Sequence, residues 1–160
     1  LMPENVLDNS PERIEVQSVA LPAPPVSIVV GWARAALEED PRSLCIRIVD
    51  EPESQALNRQ FRGLARPTSV LSFPAQMPGL LGDIAICAPI VKLEALSRNR
   101  SLYAHFAHMV VHGILHLKGL DHVDEVKARN MEASEIEILD SLGFANPYLP
   151  YDEATEQVER

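Results

Sequence analysis

Met109–Val123 reads MVVHGILHLKGLDHV, and the rest of the chain is organised around this stretch. It carries three histidines, His112, His116 and His122. The first two are four residues apart, so on a helix they leave one face one turn apart. Gly119 offers a left-handed place to end that helix. The chain can turn there and bring His122 back to the other two. Three imidazoles meeting at one point, with a fourth position open, are the donor set of a catalytic zinc. A pair at i,i+4 is common on helix surfaces; a third histidine just beyond a glycine is a more specific signal.

The spacing H-x3-H-x5-H, with a glycine between, is also that of the H-E-x-x-H-x-x-G-x-x-H metalloproteases. Those enzymes use the glutamate after the first histidine as the base on the zinc water. Here that position is Gly113. The ligand spacing is present and the peptidase base is missing, which points to a different hydrolysis.

A chain of 160 residues with 46% hydrophobic and 23% charged residues has the make-up of one soluble globular domain with a sizeable core. A single domain over 1–160 is expected, with residues 1–11 a loose lead-in and 147–160 a mobile acidic tail. The most apolar run, Pro25–Leu37, is interrupted by Arg34 and is too short to span a bilayer. Leu1–Ser10 lacks the basic start and apolar run of a signal peptide. No membrane association and a cytoplasmic location are therefore expected. Cys45 and Cys87 both fall in strand-like runs and read as buried free thiols.

The net charge of -9 argues against a nucleic-acid partner until its distribution is considered. Residues 41–122 hold nine Lys/Arg against six Asp/Glu, a net of +3. A local basic surface beside the histidines is compatible with an acidic protein, and the local field is what a phosphate meets.

Alternation of apolar residues predicts strands over Arg13–Val19, Leu44–Val49, Val70–Phe73 and Gly82–Ala88. Prolines at both ends of PTSVLSFP (67–74) suggest an edge strand, with 82–88 its hairpin partner. Helices are predicted over Val26–Glu38, from an Asp50 cap through Leu57, Phe61 and Leu64, and from Pro89 through Leu96. Two more follow: one from a Ser101 cap that carries the histidines, and one from an Asp124 cap to Gly143. The last helix carries Val126, Met131, Ile136, Leu139 and Leu142. The fold class is α+β: a small mixed sheet of about four strands packed by helices, with the three-His site on a helix and the turn after it.

Three stretches together bring a family into view. LNRQFRGLARPTSVLSFP (57–74), LGDIAIC (81–87) and HFAHMVVHGILHLKGLDH (105–122), followed by MEASEIEILDSLGFANPY (131–148), make the chain resemble the YbeY-type endoribonucleases. The resemblance implies one Zn2+ on His112, His116 and His122, and a functional Arg62 in the cleft beside it. It implies hydrolysis of single-stranded RNA in maturation of the small-subunit rRNA 3′ end and in ribosome quality control. The implied partners are rRNA, the ribosomal small subunit and the GTPase Era. Ser69 and Leu120 depart from the family pattern, which has Asp or Asn at the first position and Tyr at the second.

A zinc ion can supply hydroxide near neutral pH or polarise a phosphoryl oxygen. The planar guanidinium of Arg62 can hold two phosphate oxygens at once; Arg59, one turn earlier, could assist. The base is open. His108 could relay a proton or orient a ligand, or it could be a core histidine. Asp121 could hold the second nitrogen of a ligand histidine or cap a helix. Asp83 could line the cleft or bond backbone. Two other functions compete: a peptidase built on the same histidines, against which Gly113 stands, and a non-enzymatic assembly factor in which zinc only holds the fold.

Overall fold

The computed structural model of the protein describes residues 13–121 and 123–150. Among these, four strands and five helices follow one another: β1 (Ile14–Ser18), α1 (Val26–Leu37), β2 (Ser43–Val49), α2 (Glu51–Arg62), β3 (Val70–Pro74), β4 (Leu80–Cys87), α3 (Ala88–Ser97), α4 (Leu102–Leu117) and α5 (Glu125–Ser141). The architecture is the expected α+β layer fold. One four-stranded sheet has the order β1-β2-β4-β3. β1 pairs parallel with β2, and β2 parallel with β4. β3 runs antiparallel along β4 as the edge strand, with Ser72 opposite Ile84. The expected lead-in, residues 1–11, lies outside the described residues.

Alternation decides what each face of the sheet meets. Leu44, Ile46, Ile48, Ile84 and Ile86 point into the core, where they join Val29, Trp32 and Ala33 of α1 and Phe106, Val110 and Ile114 of α4. Each such aliphatic or aromatic side chain, taken fully out of water, contributes about 1.5–3 kcal/mol. The intervening residues Cys45, Arg47, Phe73, Asp83 and Ala85 face the other way, into a groove alongside Leu57 and Phe61 of α2. Cys45 and Cys87 are free thiols; Cys87 is buried and Cys45 half-buried.

α2 ends earlier than its apolar spacing suggests: the helix stops at Arg62 with Gly63 in the left-handed region, and Phe61 and Leu64 are exposed. Its inner face is polar. Buried Ser54 bonds both the N–H and the carbonyl of Thr68, and buried Asn58 donates to the carbonyl of Arg66. The helix thus ties down the loop that leads into β3. The Asp50 cap is as expected, accepting from Glu53 N–H.

α4 is the central helix. Twelve of its sixteen residues are buried, so it is apolar nearly all round, as a helix enclosed by others must be. α1, α3 and α5 pack on it, as do β3 and β4. Ser101 caps it through Ala104 N–H. It ends in a Schellman turn: Gly119 N–H donates to the His116 carbonyl and Leu120 N–H to that of Leu115, with Gly119 at φ 106.

On α5, Val126 is exposed rather than buried, and the inward position one turn beyond Met131 is taken by a carboxylate, Glu135. The start of the expected tail, residues 147–150, lies within the described residues. Arg100 donates to the carbonyls of Asn146 and Leu149 and holds residues 146–149 against the body. Residues 151–160 of that expected tail lie outside the described residues.

Candidate metal centre

In the C-terminal half of α4 every residue from Met109 to Leu117 is buried except His112 and His116, which are half-buried. The helix therefore presents only imidazoles where it meets the surface. These two residues share a face by their spacing, and the turn at Gly119 reverses the chain just beyond them. Asp121 follows, its Oδ1 accepting from Val123 N–H. His122 lies outside the described residues.

Behind His112 sits a polar cluster that no apolar pattern announced. Glu135 is fully buried. One of its oxygens accepts from His112 Nδ1 at 2.6 Å; the other takes the Tyr148 hydroxyl in a short bond and His108 Nε2 at 3.3 Å. Burial by itself raises the pKa of Glu135, but the bonds from His108, His112 and Tyr148 outweigh it and bring it down to about 2. The carboxylate is ionised at neutral pH. Burial lowers the pKa of His108, which is consistent with a neutral ring. Burial and the neighbouring carboxylate raise that of the Tyr148 phenol, so it stays a donor. His108 Nδ1 is buried without a hydrogen-bond partner.

His108, His112 and Glu135 offer donor atoms within 4.8 Å of one another, a group that could hold a metal. Their spacing says how the donors are used. Zinc at about 2.0–2.2 Å from a nitrogen and an oxygen keeps those two atoms about 3.3 Å apart in a tetrahedron. Nδ1 of His112 and the Glu135 oxygen are closer, at 2.6 Å, which is a direct charge-assisted hydrogen bond. With Nδ1 donating to Glu135, the ring is fixed in the tautomer whose ligating nitrogen is Nε2. A carboxylate-backed imidazole with a second imidazole one turn further along the helix is a donor set suited to a divalent cation.

Arg62 and the histidine helix are linked through β3. Arg62 Nη2 donates to the Ser72 carbonyl at 3.2 Å, and Ser72 Oγ donates to the carbonyl of Gly113, the residue after His112. Arg62 and Arg59 are exposed, as is Arg66 just beyond α2. Other cations of the basic segment are engaged elsewhere: Arg42 with Asp40, Arg47 with Glu53, and Lys118 with Glu38 and the end of α1. Phe61 beside Arg62 is 54% exposed and lies 5.0 Å, centroid to centroid, from Phe73. Asp83 is exposed on the sheet face away from α4, since its neighbours Gly82 and Ile84 are the ones against that helix. It faces away from the helix that carries His112 and His116. His105 is buried on α4 and paired with Glu94 at 2.8 Å.

Sequence reasoning missed Glu135 and Tyr148. The available signal was a glutamate on the inward side of an otherwise apolar face, one turn beyond Met131, in a chain with a candidate metal site.

Comparison with known proteins gives the chain its relatives. The profile of the family described as endoribonuclease YbeY matches residues 26–143. A Methylococcus capsulatus protein named endoribonuclease YbeY is 53% identical over 122 residues, covering 73% of this chain and 81% of that protein. An Alteromonas mediterranea protein of the same name is 46% identical over 145 residues, covering 86% and 90%. The solution structure of a Thermotoga maritima protein superposes with a TM-score of 0.59 at 29% identity, covering 81% of this chain and 88% of that one.

Proposed function

We propose, from the premise that the chain belongs to the endoribonuclease YbeY family, that it is a metal-dependent endoribonuclease acting on single-stranded RNA. One zinc ion would be held by His112, His116 and His122. The physiological setting implied by the family is the cytoplasm: small-subunit rRNA 3′-end maturation and ribosome quality control, with the small subunit and the GTPase Era as partners. Among the described residues no helix is long and apolar enough to cross a membrane.

The observation that carries the metal assignment is the pairing of His112 Nδ1 with the buried carboxylate of Glu135, on a helix whose only other surface side chain in that half is His116. Histidines that bind metal characteristically donate their second nitrogen to a carboxylate. When bound, the zinc supplies a Lewis acid and an activated water. The residues of the chain do the rest. His112 and His116 present their rings from one rigid helix. Arg62 would hold the scissile phosphate through two oxygens and stabilise the charge that develops on it. His108 is buried against Glu135, so its role is to support the His112 shell rather than to meet substrate.

Gly113 separates this reaction from peptide hydrolysis on the same spacing. It is buried against the sheet, so no side chain at that position could reach a metal-bound water.

The test compares cleavage of a single-stranded RNA by the parent protein, by the parent after chelation, and by His116→Ala and Arg62→Glu. Chelation and His116→Ala are expected to abolish turnover, and Arg62→Glu to lower it by about 100-fold or more. Full activity of metal-free His116→Ala would contradict the mechanism.

A further inference from the structure

We propose that Tyr148 is a positioning residue for the metal site, acting through Glu135 on His112. The proposal rests on the assignment of His112 as a metal ligand and extends the site to the segment that follows α5.

The carboxylate of Glu135 divides its two oxygens. One serves His112 Nδ1 alone among the described contacts. The other is shared by the Tyr148 hydroxyl and the longer contact from His108 Nε2. A carboxylate anchored on one oxygen has a defined direction for the second. That direction fixes the plane of the His112 ring and therefore where Nε2 points. Without the hydroxyl, the first oxygen keeps only the 3.3 Å contact to His108, and the carboxylate can turn about its own axis.

Tyr148 is itself held from several sides. Its ring meets that of His108 edge-on, with centroids 5.5 Å apart and planes at 83°. Its N–H donates to Asn146 Oδ1 at 2.8 Å. Arg100, at the start of the connection into α4, donates to the carbonyls of Asn146 and Leu149 on either side of it. A contact needed only for burial would not require this. Tyr148 as a residue is 42% exposed, yet its hydroxyl is turned inward onto the one fully buried carboxylate among the described residues. The hydroxyl oxygen can thus be removed with the ring left in place and little of the core disturbed.

The experiment measures Co2+ and Zn2+ affinity by competition with a chromophoric chelator. The full-length parent is compared with Tyr148→Phe, Glu135→Gln and His112→Ala, and the visible spectrum of each Co2+ form is recorded. Thermal melts of the metal-free proteins run alongside. Glu135→Gln is expected to weaken binding by about 10- to 100-fold. Tyr148→Phe acts one contact further out and is expected to weaken it on the order of threefold to tenfold, with a shifted Co2+ spectrum beside the modest drop in the metal-free melt that losing a hydrogen bond to a buried carboxylate brings. A purely structural role would move the melt and leave the spectrum of the bound ion alone. Parental affinity and spectrum in Tyr148→Phe, with His112→Ala binding abolished, would overturn the proposal alone. Parental affinity in His112→Ala would instead overturn the ligand assignment beneath it.

Discussion

At the scale of single residues, Gly113 carries more of the argument than the histidine before it. A Cβ there would lie 3.0 and 3.1 Å from two atoms of the Ile84 side chain and 3.3 Å from Ser72 Oγ. The helix approaches the sheet closely at that point, which places His112 beside β3, the strand whose Ser72 carbonyl accepts from Arg62 at the end of α2. Gly113→Ala is expected to destabilise the protein only modestly, by about 1 kcal/mol, because strain from overpacking is partly offset by the better helix propensity of alanine. Gly113→Glu, which writes the peptidase signature back into the sequence, buries a carboxylate with no partner and is expected to cost more than about 3 kcal/mol while producing no peptidase activity. Thermal melts and a casein assay check both variants. A stable Gly113→Glu protein that cleaves casein would refute the packing argument. The missing base was legible in the sequence, but the steric reason for the glycine was not, since it depends on a strand about thirty residues away.

At the scale of elements, caps and alternation were readable because they are local. Asp50, Ser101 and Asp124 each cap the helix that follows them. Ser101→Ala is expected to cost about 1 kcal/mol. The edge position of β3 followed from its flanking prolines. In α2 the spacing of Leu57, Phe61 and Leu64 makes an apolar stripe, yet the helix turns Ser54 and Asn58 inward to satisfy loop backbone groups. No periodicity of apolar residues reveals that choice.

The junction between α1 and β2 gives a pH-dependent prediction. Hydrogen bonding from Arg42, opposed by partial burial, lowers the pKa of Asp40 to about 2. A carboxylate with a depressed folded-state pKa contributes stability that is present above its unfolded value and is lost as pH falls towards the folded one. The pair is solvent-screened, so Asp40→Asn is expected to cost less than about 1 kcal/mol at pH 7. That difference should fade between about pH 4 and pH 2, as read from urea melts of the two proteins across that range.

At the scale of the whole molecule, net charge and function pull in opposite directions. A chain of net charge -9 has to bind a polyanion through a local field. Arg59, Arg62 and Arg66 are exposed around the end of α2, whereas Arg42, Arg47 and Lys118 are engaged in pairs within the fold. Three phosphate contacts on single-stranded RNA give a slope of log K against log salt of about -2. Replacing all three arginines by Gln should flatten that slope towards zero; an unchanged slope would place the RNA elsewhere. The sequence conveyed the fold class and the histidine helix because helix period, caps and strand alternation are local. It did not convey the Glu135–Tyr148 support, which joins α4, α5 and the segment after α5 through polar atoms that leave no mark on an apolar pattern.

The account stands most directly on where the ion binds. Diffraction from zinc-loaded crystals, with an anomalous map at the zinc edge, locates it. The account predicts one peak about 2.0–2.1 Å from Nε2 of His112 and of His116, with His112 Nδ1 still on Glu135. A peak seated instead between His108, His112 Nδ1 and Glu135 would contradict it.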